Sequence, residues 1–493
     1  MQIHKTRAAP PNAYAMIETL RGLGYSTGAA LADIIDNSIS AGASNVNLKF
    51  IEEGLHSSIL IIDDGKGMSD SELELAMRLG YKNPITTKRD ANDLGRFGIG
   101  LKSASFSQCR RLTVMSRRDG LTSCLRWDLD YLANESQGDW HLLEGADPNS
   151  GPIEQYISSS HGTLVLWEVM DRIVTEGFSK EDFLDLIEKI DQTLGMIFHR
   201  FLSGDKPRMK ISINGQAVKP WDPFMTHNSF TMASPDVDFK TSSGVIKVKG
   251  YVLPHKDQLT DQEYERWGGP EGWNSQQGFY IYRNDRLLVS GGWLGLGTRR
   301  AWTREEAHRL ARISIDISNK SDMDWKIDIR KSIARPPHTI RPRLIKISED
   351  IRSKARRVFA HRGFYNKNNS KKEIYNVWRS EKFNGGIRYR IDLEHPAIKS
   401  LIESTDTVAH QIKTLFRIIE ETVPVQKIWL DTAEAKETPR TSFAEQPSEN
   451  IMEVISTVFE DLTLRRGMSQ EAAKKSLLSM EPFNFFPDLI SRL

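Results

Sequence analysis

The chain has 493 residues, enough for about three average domains and a large buried core. Apolar residues make up 39% and charged residues 27%, and 67 basic against 65 acidic side chains leave a net charge of +2. These values exclude a wholly disordered chain, a collagen-like one and an extreme polyelectrolyte. Two cysteines, Cys109 and Cys124, are too few for a disulfide framework or a four-cysteine zinc site, which favours a reducing, cytoplasmic setting. No apolar run approaches the ~20 residues of a membrane span, so no membrane partner is expected. The start, Met1 to Met16, lacks the apolar centre of a secretory signal.

In chain order, Ala13–Leu23 and Gly28–Ser40 carry helical periodicity. Val46–Phe50 and Ser58–Ile62 have strand patterns, the second a buried apolar run that ends in Asp-Asp-Gly. A helix follows over Ser71–Leu79, then a polar, Gly-containing loop over Asn83–Gly100 that opens a small-residue helix. Strands are predicted at Leu112–Ser116, Ser123–Trp127 and Thr163–Trp167, with a Gly/Pro/Asn/Ser-rich loop over Glu144–Ser160. A second α/β region is predicted from about residue 205 to 350. Its strands are Lys210–Ile213, Val245–Val252, Gly278–Tyr282 and Ile313–Ile317, with a hairpin signal at Asn214-Gly215. Beyond residue 350 the pattern is mostly helical, with a Thr/Glu/Pro/Ser-rich linker at 432–450 and a helical module at 451–493. The expected organisation is a domain over 1–200, a smaller one over 205–350, a basic mixed segment over 351–431, the linker and the C-terminal module.

Three motifs carry chemistry. In Ala30-Leu31-Ala32-Asp33-Ile34-Ile35-Asp36-Asn37-Ser38, helical spacing sets Asp33 and Asn37 on one face with Asp36 beside them. Leu31, Ile34, Ile35 and Ser38 fall on the opposite, sheet-packing face. A carboxylate there can orient or deprotonate a water, and an Asn carbonyl is a hard oxygen ligand suited to Mg²⁺. A solvated polar helix face explains the same pattern about equally well. The second motif, Ile59-Leu60-Ile61-Ile62-Asp63-Asp64-Gly65-Lys66-Gly67-Met68, delivers Asp63 at a strand tip. A buried Asp accepts a hydrogen bond from an exocyclic amine such as adenine N6, although an ordinary Asp-Gly turn is the commoner cause. The third, Gly95-Arg96-Phe97-Gly98-Ile99-Gly100-Leu101-Lys102-Ser103, is a Gly-rich run opening a helix, a weak anion-binding signal when alone. Order and spacing make the three specific together. Asp63 lies 26 residues after Asn37, Gly95 lies 30 after Gly65, and His161-Gly162-Thr163-Leu164-Val165 follows with a Gly-Thr at a strand start.

This arrangement resembles the GHKL (Bergerat) ATP-binding fold over about residues 10–175. Among its members the Microrchidia (MORC) ATPases of prokaryotic type are most similar. The resemblance implies an α/β sandwich, a Bergerat domain followed by a smaller MutL-like transducer domain and a mostly helical C-terminal region. It implies ATP with Mg²⁺ as cofactors. Asn37 would hold the Mg²⁺ and Asp63 the adenine, with Gly65, Gly67 and Met68 shaping the base pocket and Thr163 supporting Asp63. Residues 80–100 would form an ATP lid, with Gly95, Phe97, Gly98, Ile99 and Gly100 over the phosphates and Lys102 after them. Most relatives carry Glu where this chain has Asp33, one methylene shorter, which implies slow hydrolysis. In the second region, Gly278–Leu288 and Asp324–Ser332 resemble MutL and MORC transducers, whose loop lysine reaches the γ-phosphate. Lys331 is the first choice for that lysine and Lys326 the second.

Residues 330–390 hold 18 Lys+Arg against 4 Asp+Glu, a net of +14, interleaved with Phe359, Phe364, Tyr365, Tyr375, Trp378, Phe383 and Tyr389. Such a segment suits phosphate-backbone binding, or else docking on the acidic tail, where residues 391–493 have a net charge of −6 (11 basic, 17 acidic). The expected function is an ATPase that becomes a homodimer on ATP binding and clamps or remodels DNA. The resemblance extends to defence against foreign DNA and leaves room for a nuclease or helicase partner. The alternative is an ATP-gated chaperone-like or scaffold protein that acts on protein partners without DNA.

Overall fold

The structure is a computed structural model. It describes residues 11–22, 24–80, 100–157, 159–241, 244–321, 324–328, 331, 333–360, 375–383, 386–403, 406–428 and 449–493. The chain forms two compact units, residues 1–365 and 366–493.

The first unit opens with helices α1 (Ala13–Arg21) and α2 (Thr27–Ser40), the second capped by the Ser26 hydroxyl on the Ala29 amide. Strands β1 (Asn45–Ile51) and β2 (Ser58–Asp63) follow, then α3 (Asp70–Met77), whose start is fixed by a Ser69/Glu72 capping box. After α4 (Gly100–Phe106) come β3 (Arg111–Arg118), β4 (Leu121–Asp128), β5 (Leu143–Glu144) and β6 (Gly162–Glu168). Helices α5 (Lys180–Ile197) and α6 (His199–Leu202) then lead to β7 (Lys210–Ile213) and β8 (Gln216–Ala217). These strands form one eight-stranded sheet in the order β5-β4-β3-β6-β2-β1-β7-β8. The Lys210–Ile213 strand, expected in the second region, instead pairs in parallel with β1. The hairpin predicted at Asn214-Gly215 does join β7 to β8, with φ of 47° and 82° at its two turn residues.

Strand β2 explains its own composition. Ile59 and Ile61 face a core shared with α1, α2 and α4, while Leu60 and Ile62 face a second cluster with Met115, Ile153, Ile157 and Leu164. Both faces are covered, so the strand is an unbroken apolar run rather than an alternating one. By the same period of two, Asp63 falls on the face of Ile59 and Ile61, the side on which α2 lies.

A second sheet holds β9 (Met232–Ala233), β10 (Val237–Thr241), β11 (Gly244–Val252), β12 (Gly278–Arg283), β13 (Arg286–Ser290) and β14 (Ala311–Ile317). Its order is β10-β11-β14-β12-β13, with β9 on β11. The long helix α7 (Arg341–Ala360) buries Leu344, Ile351, Ala355 and Val358 against it. The turn between β12 and β13 is Asn284-Asp285, both left-handed at φ 49° and 67°, the geometry of a tight two-residue hairpin. Arg286 therefore emerges at a hairpin tip. Helix α6 joins the two sheets: His199 Nε2 lies 2.9 Å from the Tyr282 hydroxyl, and Arg200 pairs with Asp316 and Asp285.

The second unit contains a hairpin, β15 (Trp378–Phe383) with β16 (Gly386–Ile391), then helices at Pro396–Glu403, Asp406–Thr422, Glu449–Glu460, Gln470–Leu477 and Pro487–Ser491. Its core is built from Ile455, Leu462, Ala473, Leu477, Met480, Phe483 and Ile490. The architecture is thus mixed α/β, with a helical C-terminal region. The linker expected at 432–450 lies almost wholly outside the described residues.

Candidate functional site

The site is built along α2. At its C-terminal end Ser38 donates its hydroxyl to Asp63 Oδ2 at 2.7 Å, and the Gly65 amide donates to Asp63 Oδ1 at 2.9 Å. Ser38 was expected on the sheet-packing face. It is indeed buried, but its hydroxyl meets the strand tip at the point where the apolar run stops. Burial raises the Asp63 carboxyl above its usual range, and the bonds from Ser38 and Gly65 act against that. The Thr163 backbone amide also acts on this carboxylate, which with two oxygens has acceptor capacity for one more donor.

The chain beyond Asp63 is held in a fixed curve. Asp64 accepts from the Ser44 and Asn45 amides at 2.7 and 2.9 Å. Gly67 adopts φ +66°, and a Cβ there would stand 1.9 Å from the Arg117 carbonyl oxygen, so only glycine fits. The next amide, Met68, donates to Ser116 Oγ at 2.8 Å. Ser116 Oγ lies 3.0 Å from Thr163 Oγ1, and Thr163 is the direct β6 partner of Asp63. Asp63, Gly65, Gly67, Met68 and Thr163 therefore meet in one place. Ser38 and Ser116 complete it, and only their tertiary neighbours reveal them.

Toward the N-terminus of α2 lies a cluster of charges on Asp36 and Asp33, two and five residues before Ser38, or about 3 and 7.5 Å along the axis. Asp33 and Asp36 are 4% and 2% exposed, so they do not form a solvated face; Asn37 alone of the three is exposed. Lys331 Nζ lies 3.0 Å from Asp33 Oδ1 and also bonds Asp36 Oδ2. Arg286 Nε sits 3.2 Å from both Asp36 oxygens, and its Nη2 is 3.4 Å from Asp33 Oδ1. The Tyr25 hydroxyl donates to Asp33 Oδ2 at 3.1 Å. Burial, with the Asp33 charge beside it, raises the Tyr25 phenol far above its usual range. Burial works to raise Asp36, but Arg286 and Lys331 outweigh it and hold that carboxyl below the usual range. Lys331 projects from a turn in which its own backbone is left-handed at φ 54°, a conformation few lysines adopt. Lys326 is exposed. Arg286 and Tyr25 carry no sequence signal that distinguishes them from any buried arginine or tyrosine.

Of the remaining predicted residues, Gly100 opens α4, and Lys102, buried, donates to the Ala76 carbonyl of α3 at 2.7 Å. Gly95, Phe97, Gly98 and Ile99, and most of the expected lid, lie outside the described residues. Asn37 Nδ2 donates to the Asp33 carbonyl at 3.2 Å, which uses the amide's donor end and leaves its oxygen as an acceptor.

The described residues of the basic segment 330–390 are not all solvated. Lys331 is spent on Asp33 and Asp36. Arg352 is buried over the Trp293 and Trp302 rings at 4.5 and 4.8 Å, and Arg388 and Arg390 pair with Glu381 and Glu420. Arg335, Lys346, Arg356, Tyr375, Trp378 and Tyr389 are exposed. Phe364 and Tyr365 lie outside the described residues.

An Asp at a strand tip bonded to a helical serine, a glycine-locked turn beneath it and acidic and amide groups on the same helix match an ATPase domain of GHKL type. Residues 25–163 match the family model described as "Histidine kinase-, DNA gyrase B-, and HSP90-like ATPase". The chain is similar to ATPase morc-1 of Caenorhabditis elegans, 29% identical over 238 residues, which is 39% of this chain and 27% of that protein. It is also similar to the DNA mismatch repair protein MutL of Leptospira biflexa, 36% identical over 96 residues, 19% of this chain and 16% of that protein. The MutL of Shewanella woodyi is 35% identical over 88 residues, 18% of this chain and 14% of that protein. The chain thus spans well under a third of each of these relatives. Among the described residues no helix is long and apolar enough to cross a membrane.

Proposed function

We propose that the chain is a MORC-like ATPase that binds ATP in the Asp63 socket, hydrolyses it slowly at Asp33, dimerises in the ATP-bound state and acts as a clamp on DNA. The observation that carries the reading is Lys331. It comes from the second-sheet region, yet its ammonium lies within hydrogen-bond distance of the carboxylate expected to activate water. A cation delivered there from outside the ATPase sheet is suited to sense a terminal phosphate, and it ties the state of the nucleotide to the position of the second sheet.

In this reading Asp63 accepts the adenine amine, and Gly65, Gly67 and Met68 form the floor under the base. Thr163, through Ser116 and its pairing with β2, keeps Asp63 in place. Asn37 offers one exposed amide oxygen, and among the described residues no cluster of three or more His, Cys, Asp or Glu could hold a metal by itself. One protein oxygen completed by phosphates and waters is the set Mg²⁺ favours. The donor set fits, and Asn37 would hold the ion, which when bound offsets phosphate charge. By the family likeness Gly95, Phe97, Gly98, Ile99 and Gly100 would lie over the phosphates, whereas Lys102, buried and bonded to the Ala76 carbonyl, would support them from α4. Asp33, relieved of Lys331 by an arriving phosphate, orients and deprotonates the attacking water.

The DNA reading is supported by the basic segment and by the MutL relatives, named as DNA mismatch repair proteins. Among the described residues, the exposed Arg335, Lys346 and Arg356 of the first unit are available to contact it, and so, separately, are Tyr375, Trp378, Arg379 and Tyr389 of the second. Defence against foreign DNA, with a nuclease or helicase partner, is the setting that the MORC likeness suggests, and the cytoplasm its place. The deciding experiment combines light scattering and a gel shift, each with and without a non-hydrolysable ATP analogue. A doubling of mass with the analogue and a DNA shift that weakens steeply with salt are expected. No mass change refutes the clamp, and no shift at any salt moves the function to protein partners.

A further inference from the structure

Asp36 has a chemistry that ATP hydrolysis alone does not require. It is 2% exposed, and both its oxygens are committed to Arg286 and Lys331. A buried carboxylate is costly to keep, and an apolar residue of similar size would be cheaper unless the ion pair has a task. Its neighbours divide that task between them. Arg286 is fully anchored: Nε to Asp36, Nη1 to the Leu287 carbonyl at 2.7 Å, and Nη2 toward Asp33. It stands at the tip of a tight hairpin, so it is the rigid member. Lys331 has a flexible stem, projects from a left-handed turn, and divides its ammonium between Asp33 and Asp36.

We propose that Asp36 is a positioning residue: with Arg286 it forms a fixed ion pair between the two sheets, and it tethers Lys331 while that lysine exchanges Asp33 for the terminal phosphate. The inference rests on the ATPase reading above and adds to it. Before nucleotide binds, Lys331 bridges both carboxylates and Asp33 is engaged. When phosphate arrives, Lys331 releases Asp33 but keeps Asp36, so its ammonium moves a short way rather than swinging into solvent. Asp36 itself touches neither nucleotide nor water. Among these four side chains two carboxylates balance two cations, with the Asp328 charge close by at Tyr25, and the arriving phosphate charge takes over the role of Asp33 toward Lys331.

The test is steady-state phosphate release and nucleotide affinity for Asp36→Asn, Asp36→Glu, Arg286→Gln and the double Asp36→Asn/Arg286→Gln variant. Loss of the tether misplaces Lys331 by about 1 Å or more, so kcat should fall roughly 100-fold, with ATP affinity within about threefold of wild type. The double variant should be no slower than the slower single. Asp36→Glu keeps the charge and the fold but shifts its position, and should fall between. Unchanged kcat in Asp36→Asn, an affinity loss as large as the kcat loss, or additive single effects would overturn the proposal. If wild type releases no phosphate, the hydrolysis reading fails by itself. The anchor is then judged by urea midpoints of the same four proteins, where non-additive shifts uphold the Asp36–Arg286 pair and additive shifts overturn it.

Discussion

Asp33→Asn separates charge from shape at the centre of the site. The substitution changes almost no volume and removes one buried negative charge. In the native cluster Asp33 receives Lys331 at 3.0 Å, Tyr25 at 3.1 Å and Arg286 at 3.4 Å. With Asn there, Asp36 alone faces two buried cations. Breaking a buried ion pair by neutralising one partner costs about 3–5 kcal/mol. At about 2 °C per kcal/mol for a large domain, the melting midpoint without nucleotide should drop by roughly 6–10 °C. A non-hydrolysable ATP analogue supplies a phosphate for Lys331. In wild type that lysine must first leave Asp33; in the variant it has no such bond to lose. The analogue should therefore raise the midpoint of Asp33→Asn more than that of wild type, while phosphate release falls at least ~100-fold. Thermal melting with and without analogue, beside a phosphate assay, reads all three effects. Equal midpoints without nucleotide, equal analogue shifts or wild-type turnover in the variant would refute the reasoning.

Asp63→Asn should abolish ATP binding measured by calorimetry, because the adenine amine loses its charged acceptor while Ser38 and Gly65 keep donors aimed at the site. Wild-type affinity for ATP should also weaken on acidification at a pH above the ordinary carboxylate range of about 3.9, since Asp63 takes up its proton early. Gly67→Ala should lose nucleotide binding through a clash with the Arg117 carbonyl, visible as a missing analogue-induced thermal shift. His199 is buried against Tyr282 with its pKa pushed down to about 4 by burial from an ordinary 6.5. The unfolded chain therefore binds that proton first, so stability is full above about pH 6.5 and is lost as pH falls toward 4. The loss is about 3 kcal/mol in urea denaturation, and His199→Gln should flatten it.

Much of the Asp63 end of the site is local in origin and so was legible in the sequence. An apolar run ending in Asp, glycines at set positions after it and a helix bearing Asp and Asn at one-turn spacing each follow from the neighbours along the chain. Strand period and helix pitch then determine which side chains share a face. The second charged end was legible only in part. Lys331 was picked out, but nothing in the sequence tells that it and Arg286, 295 and 250 residues beyond Asp36, converge on that one carboxylate. Ser38 and Ser116 acquired their roles in the same way, because a serine's partner depends on what the fold brings to it. The strand Lys210–Ile213 was recognised as a strand and placed in the wrong sheet, since its alternation is the same whichever strand it pairs with. The net charge of 330–390 was countable, while the loss of Arg352 to two tryptophan faces and of Arg390 to Glu420 was not. Local sequence determines which groups a segment can offer. Only the tertiary structure decides which of them are already used, because burial and ion pairing depend on residues hundreds of positions away.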